Sequence, residues 1–315
     1  MWRQSSTVAS EMYAKQHCHQ RPFVVITKLK HSKLQRHHLR LHCSPDEPLQ
    51  QDYRKTAEII VDIFLKDKRL VGIGNGPLTE QLIECIAEKR KLQPMEGLRF
   101  VPATDTASVE AAVHGLPVAE LEQVQQVDLT FLEIDQLDRD SLACLIGQNP
   151  ASTLPVQPPV PRMQQLASQS QQLVALASDP SKVVQRLSGD VPVFISAGEQ
   201  PDDWEATAEE IDDRFVGDAQ IWRRPSSGIA HPRGGDDPYL SSNNEHILDI
   251  KFEGTLRLDG EDSCSYEAIA EAIEEIPGVV AHGLVLEDNV IAVVHTPEGA
   301  QILRKSVPAE VLADS

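Results

Sequence analysis

The feature that most constrains the fold is a regular alternation of amphipathic helical segments with short apolar runs between residues 51 and 134. The first segment places Ala57, Ile60 and Phe64 on one helical face. The predicted elements are a helix at 51–65, a strand at 70–73, a helix from Pro77, a strand at 98–102, a helix at 106–114 and a strand at 127–134. Alternation of this kind builds an α/β fold, in which a mostly parallel sheet carries helices on both faces.

A second pattern begins after a proline-rich break, since five prolines fall between residues 148 and 161. The predicted elements after the break are a helix at 162–172, strands at 173–177 and 191–197, a helix at 204–215, strands at 219–222 and 247–252, a helix at 266–276, strands at 279–286 and 289–295, and a helix at 297–304. From residue 188 to residue 287 the order is β-α-β-β-α-β, which is the ferredoxin-like order. We therefore predict a Rossmann-like domain at 46–187, completed by 288–306, and a smaller ferredoxin-like α+β domain at 188–287.

The N-terminal 44 residues differ from the rest in charge. They hold eight Lys or Arg residues and a single acid, Glu11, for a net charge of +7 against −26 for the remaining chain. A basic segment poor in acids and supplied with serines is typical of an organelle transit peptide. We predict a transit peptide or disordered segment over 1–45 and a tail at 307–315, with a folded arm containing a strand at 22–29 as the alternative to the transit peptide.

The overall charge and the cysteine spacing exclude several classes of function. A net charge of −19 repels the phosphate backbone, so the chain is not expected to bind nucleic acid. No apolar run approaches eighteen residues, so we expect no membrane span. The five cysteines are scattered without a Cys-x-x-Cys pair, and the histidines lack metal-ligand spacing. We therefore predict no disulfide framework and no metal site.

Four short motifs stand in a fixed order along the body of the chain. Val71–Leu78 reads Val-Gly-Ile-Gly-Asn-Gly-Pro-Leu, a strand, a tight turn and a helix start. Thr104–Ser108 is a hydroxyl-rich turn with an aspartate, Asp179–Lys182 reads Asp-Pro-Ser-Lys, and Ile276–Leu284 reads Ile-Pro-Gly-Val-Val-Ala-His-Gly-Leu. In this order and spacing the chain resembles the ribose-5-phosphate isomerase family, type A, in a divergent plant plastid form.

The resemblance implies a reaction and a set of ligands. Members of this family interconvert ribose 5-phosphate and ribulose 5-phosphate in the pentose phosphate pathway, without a metal or another cofactor. The partner it implies is a phosphorylated pentose, and it leaves a homo-oligomer open. The residues it places around the substrate are Gly74, Asn75, Gly76, Thr104, Asp105, Asp135 and Lys182. The expected location is the chloroplast or plastid stroma, with the mitochondrion or cytoplasm as alternatives.

The chain departs from the family where the chemistry takes place. The family moves a proton between C1 and C2 with a glutamate, and Met163 stands at that position; a thioether accepts no proton near neutral pH. The first aspartate of the family's Asp-Gly-Ala-Asp-Glu stretch is replaced by Leu132, whereas the second survives as Asp135. Glu133 is the neighbouring carboxylate, but adjacent side chains on a strand point to opposite faces. The alternative to an isomerase is therefore a non-catalytic relative that binds a phosphometabolite or a partner.

The turn and two of the other predicted site residues also have structural interpretations. The turn at Gly74–Gly76 either binds an anion or only joins a strand to a helix. Asp105 is expected to cap a helix in preference to binding substrate, because an aspartate before a helical run commonly does so. Asp135 either contacts substrate or ends a strand. Lys182 is expected to keep a polar role at the site.

Overall fold

A computed structural model describes residues 52–93, 95–148, 159–198, 203–226 and 237–305. These residues belong to one compact unit that extends from Gln51. The predicted transit peptide at 1–45 and tail at 307–315 lie outside the described residues, as does most of the proline-rich break. Among the residues that the structure describes, no helix combines the length and apolar composition needed to cross a lipid bilayer.

Fourteen strands are found in the described residues, and they are numbered here in chain order. They are β1 Leu70–Ile73, β2 Arg99–Pro102, β3 Leu129–Glu133, β4 Gln136–Asp138, β5 Cys144–Leu145, β6 Leu173–Ala177, β7 Val183–Val184, β8 Ser188–Ser196, β9 Ala219–Arg223, β10 Glu245–Thr255, β11 Val279–His282, β12 Leu284–Val285, β13 Val290–Thr296 and β14 Gly299–Arg304.

Six α-helices accompany them in the same part of the chain. They are α1 Arg54–Phe64, α2 Pro77–Leu92, α3 Asp105–Val113, α4 Val160–Ser168, α5 Asp203–Arg214 and α6 Tyr266–Glu274. Short 3-10 turns cover Leu121–Gln123 and Pro180–Lys182.

The largest sheet has six strands in the order β14-β13-β6-β3-β1-β2. All neighbours in it are parallel except β13 and β14. On one face, α1 and α2 pack Ile60, Leu82 and Ile86 against the apolar strand residues in one hydrophobic cluster. On the other face, Met163 and Leu166 of α4 pack in a second cluster, called here the α4 cluster. The predicted parallel sheet with helices on both faces is confirmed.

The prediction of a final helix at 297–304 is wrong, because these residues form β14. Thr296 of β13 pairs with Gly299 of β14, which leaves Pro297 and Glu298 as a two-residue hairpin turn. Gly299 adopts a φ of 139°, a conformation that glycine tolerates and other residues avoid. The chain therefore reverses at the turn and adds an antiparallel edge strand to the sheet.

A smaller sheet of four strands has the order β11-β8-β10-β9, and its neighbours are all antiparallel. With α5 and α6 between the strands, the chain order is β-α-β-β-α-β, so the ferredoxin-like part of the fold prediction is confirmed. This part has a hydrophobic cluster of its own, in which Val193 and Ile195 of β8 pack with Ile269 and Ile273 of α6. The exact domain boundaries stay a prediction.

A third sheet, in the order β12-β5-β4-β7, does not follow from the sequence patterns. Its strands are two or three residues long and come from distant parts of the chain. The predicted strand at 279–286 is divided between β11 and β12 at Gly283. A Cβ on Gly283 would lie 2.4 Å from the carbonyl oxygen of Ile146, so only glycine allows this close approach of two chain segments.

Candidate functional site

The candidate site lies at the carboxyl ends of the parallel strands, where β1 and β3 are neighbours. From β1 the chain continues to β2 on one side, and β3 then lies on the other side of β1. Such a reversal of strand order opens a crevice above the strand ends, which is the usual ligand position in open α/β sheets. The loop Gly74–Gly76 follows β1, Glu133 and Asp135 stand at the end of β3, and residues 178–182 follow β6.

The loop Gly74–Gly76 leads directly into α2. The backbone N–H of Gly74 donates to the carbonyl oxygen of Phe131 over 2.8 Å, which ties the loop to β3. Gly76 precedes the helix with a φ of 130°, and Pro77 occupies the first helical position, where its missing N–H costs nothing. The side chain of Asn75, between Gly74 and Gly76, is exposed. The first-turn amides of α2 are therefore presented to the crevice as hydrogen-bond donors.

These amides already hold an anion from the chain itself. The Oε2 atom of Glu133 accepts the N–H groups of Leu78 at 3.1 Å and Thr79 at 3.3 Å. A Cβ on Gly76 would lie 2.2 Å from the same oxygen, so the carboxylate fills the space above this glycine. The loop therefore holds the Glu133 carboxylate, and the binding of a ligand anion there stays a prediction.

The environment of Glu133 combines burial with opposing polar contacts. Burial raises the pKa of the Glu133 carboxyl above its usual range. The Lys182 ammonium, the helix amides and the Ser178 hydroxyl, which donates to the carboxylate, act in the opposite direction. Burial dominates, so the ionised carboxylate is held at the helix terminus at a cost in free energy.

Asp135 lies between β3 and β4, and its carboxylate is bound by the chain. Its Oδ2 atom accepts the backbone N–H of Gln148 at 2.9 Å, and the N–H of Gly147 contributes a further bond. Burial raises the pKa of the Asp135 carboxyl, although the Lys182 ammonium lowers it in part. The residue thus fixes the 147–148 loop beside the crevice.

Lys182 stands between the two carboxylates. Asp179 begins the short 3-10 turn by accepting the backbone N–H of Ser181 at 2.7 Å. At the end of that turn, Lys182 donates through Nζ to the carbonyl oxygen of Ile134 at 2.7 Å, between Glu133 and Asp135 in the chain. Its positive charge acts on both carboxylates. The structure therefore brings Lys182, Asp135 and the glycine loop together at one sheet edge.

Thr104 and Asp105 have different positions from those expected. The Oγ1 atom of Thr104 accepts the N–H of Ala107 at 2.9 Å, so Thr104 is the N-cap of α3. Asp105 is the first helical residue and is exposed. The interpretation of Asp105 as the cap is wrong, because the hydroxyl one residue earlier already satisfies the helix amide.

Met163, the residue at the expected position of the base, lies on α4 with 4% of its surface exposed. It belongs to the α4 cluster, and so does Leu132, which is 1% exposed and stands where the resemblance predicts the first aspartate. Glu133, the next residue of β3, contacts α2 across the sheet, as strand alternation predicts. The two positions where the resemblance predicts carboxylates, 132 and 163, are thus apolar and belong to one cluster.

Sequence reasoning missed Arg224, which reaches the site from the small sheet. Its guanidinium pairs with Asp249, with Nε 3.1 Å from Oδ2, and its Nη2 donates to the carbonyl oxygen of Gly147 at 3.0 Å. Arg224 is 1% exposed, and its charge also acts on Asp135. No motif in the sequence marks this arginine, because its partners are 25 and 77 residues away along the chain.

Neither a metal cluster nor a reactive thiol is evident in the described part of the chain. No group of three or more His, Cys, Asp or Glu side chains there is arranged to hold a metal ion. Burial raises the pKa of Cys85 to about 11 and that of Cys144 to about 12. Both thiols are therefore protonated and packed at neutral pH.

Comparison with known proteins places this geometry in context. The family model for ribose 5-phosphate isomerase A (phosphoriboisomerase A) matches residues 99–299. The ribose-5-phosphate isomerase A of Pyrococcus horikoshii is 26% identical over 242 residues, which cover 77% of this chain and 93% of that protein. A probable ribose-5-phosphate isomerase 2 of Arabidopsis thaliana is 24% identical over 271 residues, covering 83% and 91% of the two chains.

Solved structures agree on the fold. The ribose 5-phosphate isomerase A of Methanocaldococcus jannaschii superposes with a TM-score of 0.63 at 20% identity, over 80% of this chain and 98% of that one. A D-ribose-5-phosphate isomerase solved in complex with phospho-erythronic acid gives the same TM-score at 24% identity, with the same coverage of both chains.

Proposed function

Because the chain belongs to the ribose 5-phosphate isomerase A family, we propose that it binds a phosphorylated pentose at the sheet's carboxyl edge and interconverts ribose 5-phosphate and ribulose 5-phosphate. The observation that carries the proposal is the grouping of Asp135, Lys182 and the glycine loop at the strand-order reversal. A cationic side chain beside backbone amides suits a ligand with a phosphate and several oxygens.

The reaction moves a proton from C2 to C1 through an enediolate. Lys182 supplies a fixed positive charge to stabilise the negative oxygen that develops, which is the main electrostatic contribution at such a centre. Asp135 is held by two backbone amides and orients substrate hydroxyls. Leu132 and Met163 supply no base, and losing a general base lowers the rate by roughly 10²–10⁴-fold. We therefore propose slow turnover.

The test is conversion of ribose 5-phosphate by the purified full chain, followed by proton NMR with deuterium incorporation from solvent at the exchanging carbon. We expect conversion at least about 100-fold slower than in a family member with both carboxylates. Lys182→Met should remove the remaining activity. Lys89→Met is the matched control, because Lys89 lies in the last turn of α2, away from the glycine loop, and pairs with Asp62 of α1.

Binding is measured separately by calorimetry with phospho-erythronic acid, the ligand of the related isomerase. Binding without conversion would identify the non-catalytic alternative. Absence of both would refute the proposed function. Turnover at ordinary enzyme rates, about 1–10³ s⁻¹, would contradict the argument from Leu132 and Met163.

We also propose that residues 1–45 direct the protein to the plastid stroma. The support is the charge contrast of that segment and its serines. A fusion of residues 1–60 to a fluorescent protein should enter chloroplasts of a plant cell. Fluorescence in mitochondria or the cytoplasm would support one of the alternative locations.

A further inference from the structure

The start of α2 has the features of an anion site, but the site has an internal occupant. The N–H groups of Leu78 and Thr79 both point to Oε2 of Glu133. The space that a Cβ of Gly76 would need is the space that this carboxylate fills. A negative charge at a helix N-terminus is stabilised by the aligned peptide dipoles, whether it comes from a ligand or from a side chain.

Two anions do not share this position. A phosphate group at the same amides would contact the Glu133 carboxylate directly, and like charges side by side cost several kcal/mol. Lys182 does not relieve the conflict, because its single charge already serves both Glu133 and Asp135. The hydroxyl of Thr79, which is 0% exposed, has no hydrogen-bond partner among the described residues.

We propose that Glu133 is a resident anion that occupies the phosphate position at the start of α2 and must leave before a phosphate ester binds there. The inference rests on the proposed function, since it concerns how the same site selects its ligand. Glu133 therefore acts as a specificity-determining residue: in the resting protein it disfavours phosphorylated ligands over phosphate-free polyhydroxy ligands of the same length.

The occupant is held loosely enough to be displaced. Burial raises the pKa of the Glu133 carboxyl, which means that the ionised form is less stable here than in water. Its contacts are hydrogen bonds to two amides and a hydroxyl, and it forms no bidentate ion pair with any of the described residues. When it leaves, the two amides and the open side of Gly76 become available to another anion.

The test compares the wild-type chain with Glu133→Ala in calorimetric titrations of phospho-erythronic acid and of erythronic acid, its phosphate-free counterpart. We expect Glu133→Ala to bind the phosphorylated probe about 10–100-fold more tightly, because a like charge is removed. The affinity for erythronic acid should change by less than about threefold, since that probe carries no phosphate to compete for the amides.

Glu80→Ala is the matched control, because Glu80 is an exposed acid in the same first turn of α2. It removes one charge without emptying the amide position, so the phosphorylated probe should gain less than about threefold. Glu133→Gln is the second variant in case Glu133→Ala does not fold. It keeps the side-chain shape, and we expect a smaller gain in the same direction.

Inorganic phosphate separates this inference from the proposed function. The midpoint temperature of thermal unfolding should rise with phosphate concentration more steeply for Glu133→Ala than for wild type or Glu80→Ala. If phosphate stabilises Glu133→Ala in this way but phospho-erythronic acid does not bind, the inference about Glu133 stands and the proposed binding of a phosphorylated pentose is refuted. The inference would be overturned if Glu133→Ala and Glu133→Gln bound both phospho-erythronic acid and inorganic phosphate no more tightly than wild type does.

Discussion

Leu132 and Met163 stand where the sequence resemblance places carboxylates, and both pack in the α4 cluster. An isolated carboxylate in such surroundings lacks a partner and costs several kcal/mol to ionise. The joint occurrence of leucine and methionine at these positions is consistent with a cluster that stabilises the chain and supplies no proton acceptor.

Met163→Glu should consequently destabilise the protein. We expect a loss of about 3 kcal/mol in the free energy of unfolding at pH 8, because the new carboxylate is buried among apolar side chains. The loss should be smaller at pH 5, where the carboxyl is more readily protonated. Urea unfolding at both pH values measures it. Met163→Leu, the control, should cost less than about 1.5 kcal/mol; an equal loss in both variants would count against charge burial as the cause.

Glu133 illustrates how one residue of register decides a role. Its neighbour Leu132 faces the α4 cluster, whereas Glu133 faces the start of α2. The period of two along a strand therefore places Leu132 and Glu133 on opposite faces of the sheet. Of the two, only Glu133 can reach the anion position at the glycine loop.

Among the secondary-structure elements, β10 carries an unusual buried histidine. His246 is 6% exposed, lies beside the ring of Trp204 and has an Nδ1 atom without a hydrogen-bond partner in the described residues. Burial lowers the pKa of His246 to about 4, and the positive charge of Arg223 adds to this effect. The imidazole is therefore neutral in the folded state at physiological pH.

His246 should make the folded protein sensitive to acid. Because its pKa is lower in the folded state than the ordinary value of 6.5, the unfolded state binds the proton first. The free energy of unfolding should therefore be about 2 kcal/mol lower at pH 5 than it is above pH 6.5. Urea unfolding of wild type and His246→Phe at pH 7.5 and pH 5 checks this. The variant should lose about 2 kcal/mol less between the two pH values, and an identical loss would exclude His246 as the cause.

Across the whole fold, Arg224 joins the small antiparallel sheet to the loop that positions Asp135. Its guanidinium pairs with Asp249 of β10 and also binds the carbonyl oxygen of Gly147. The side chain of Arg224 is 0% exposed and that of Asp249 is 5% exposed. A buried pair of this kind depends on both members, because either charge alone is left without solvent or partner.

Arg224→Met should cost about 3–5 kcal/mol, since it leaves the Asp249 carboxylate buried and unpaired. The double variant Arg224→Met with Asp249→Leu should cost less than Arg224→Met alone, although it carries one more substitution. Chemical denaturation of wild type, Arg224→Met, Asp249→Leu and the double variant gives the coupling energy of the pair. Strictly additive losses would show that the two charges do not depend on each other.

The sequence was sufficient for the parallel sheet, its covering helices and the ferredoxin-like order, because each of these follows from local periodicity and chain order. It failed at 297–304, where the pairing of Thr296 with Gly299 outweighed a helical interpretation, and at the short strands of the third sheet, which have no periodicity to detect. Asp135, Lys182 and the glycine loop were predicted as site residues from the resemblance to the family, and their contact with substrate stays a prediction.

The occupant of the anion position and the contact of Arg224 with the Gly147 loop emerged only when distant segments were brought together. Glu133 and Leu78 are 55 residues apart, and Arg224 and Gly147 are 77 apart. A local pattern cannot report such contacts, because their energy depends on distance and burial in three dimensions. The amino-acid order thus specified which groups were present, and folding specified which charge faces which amide.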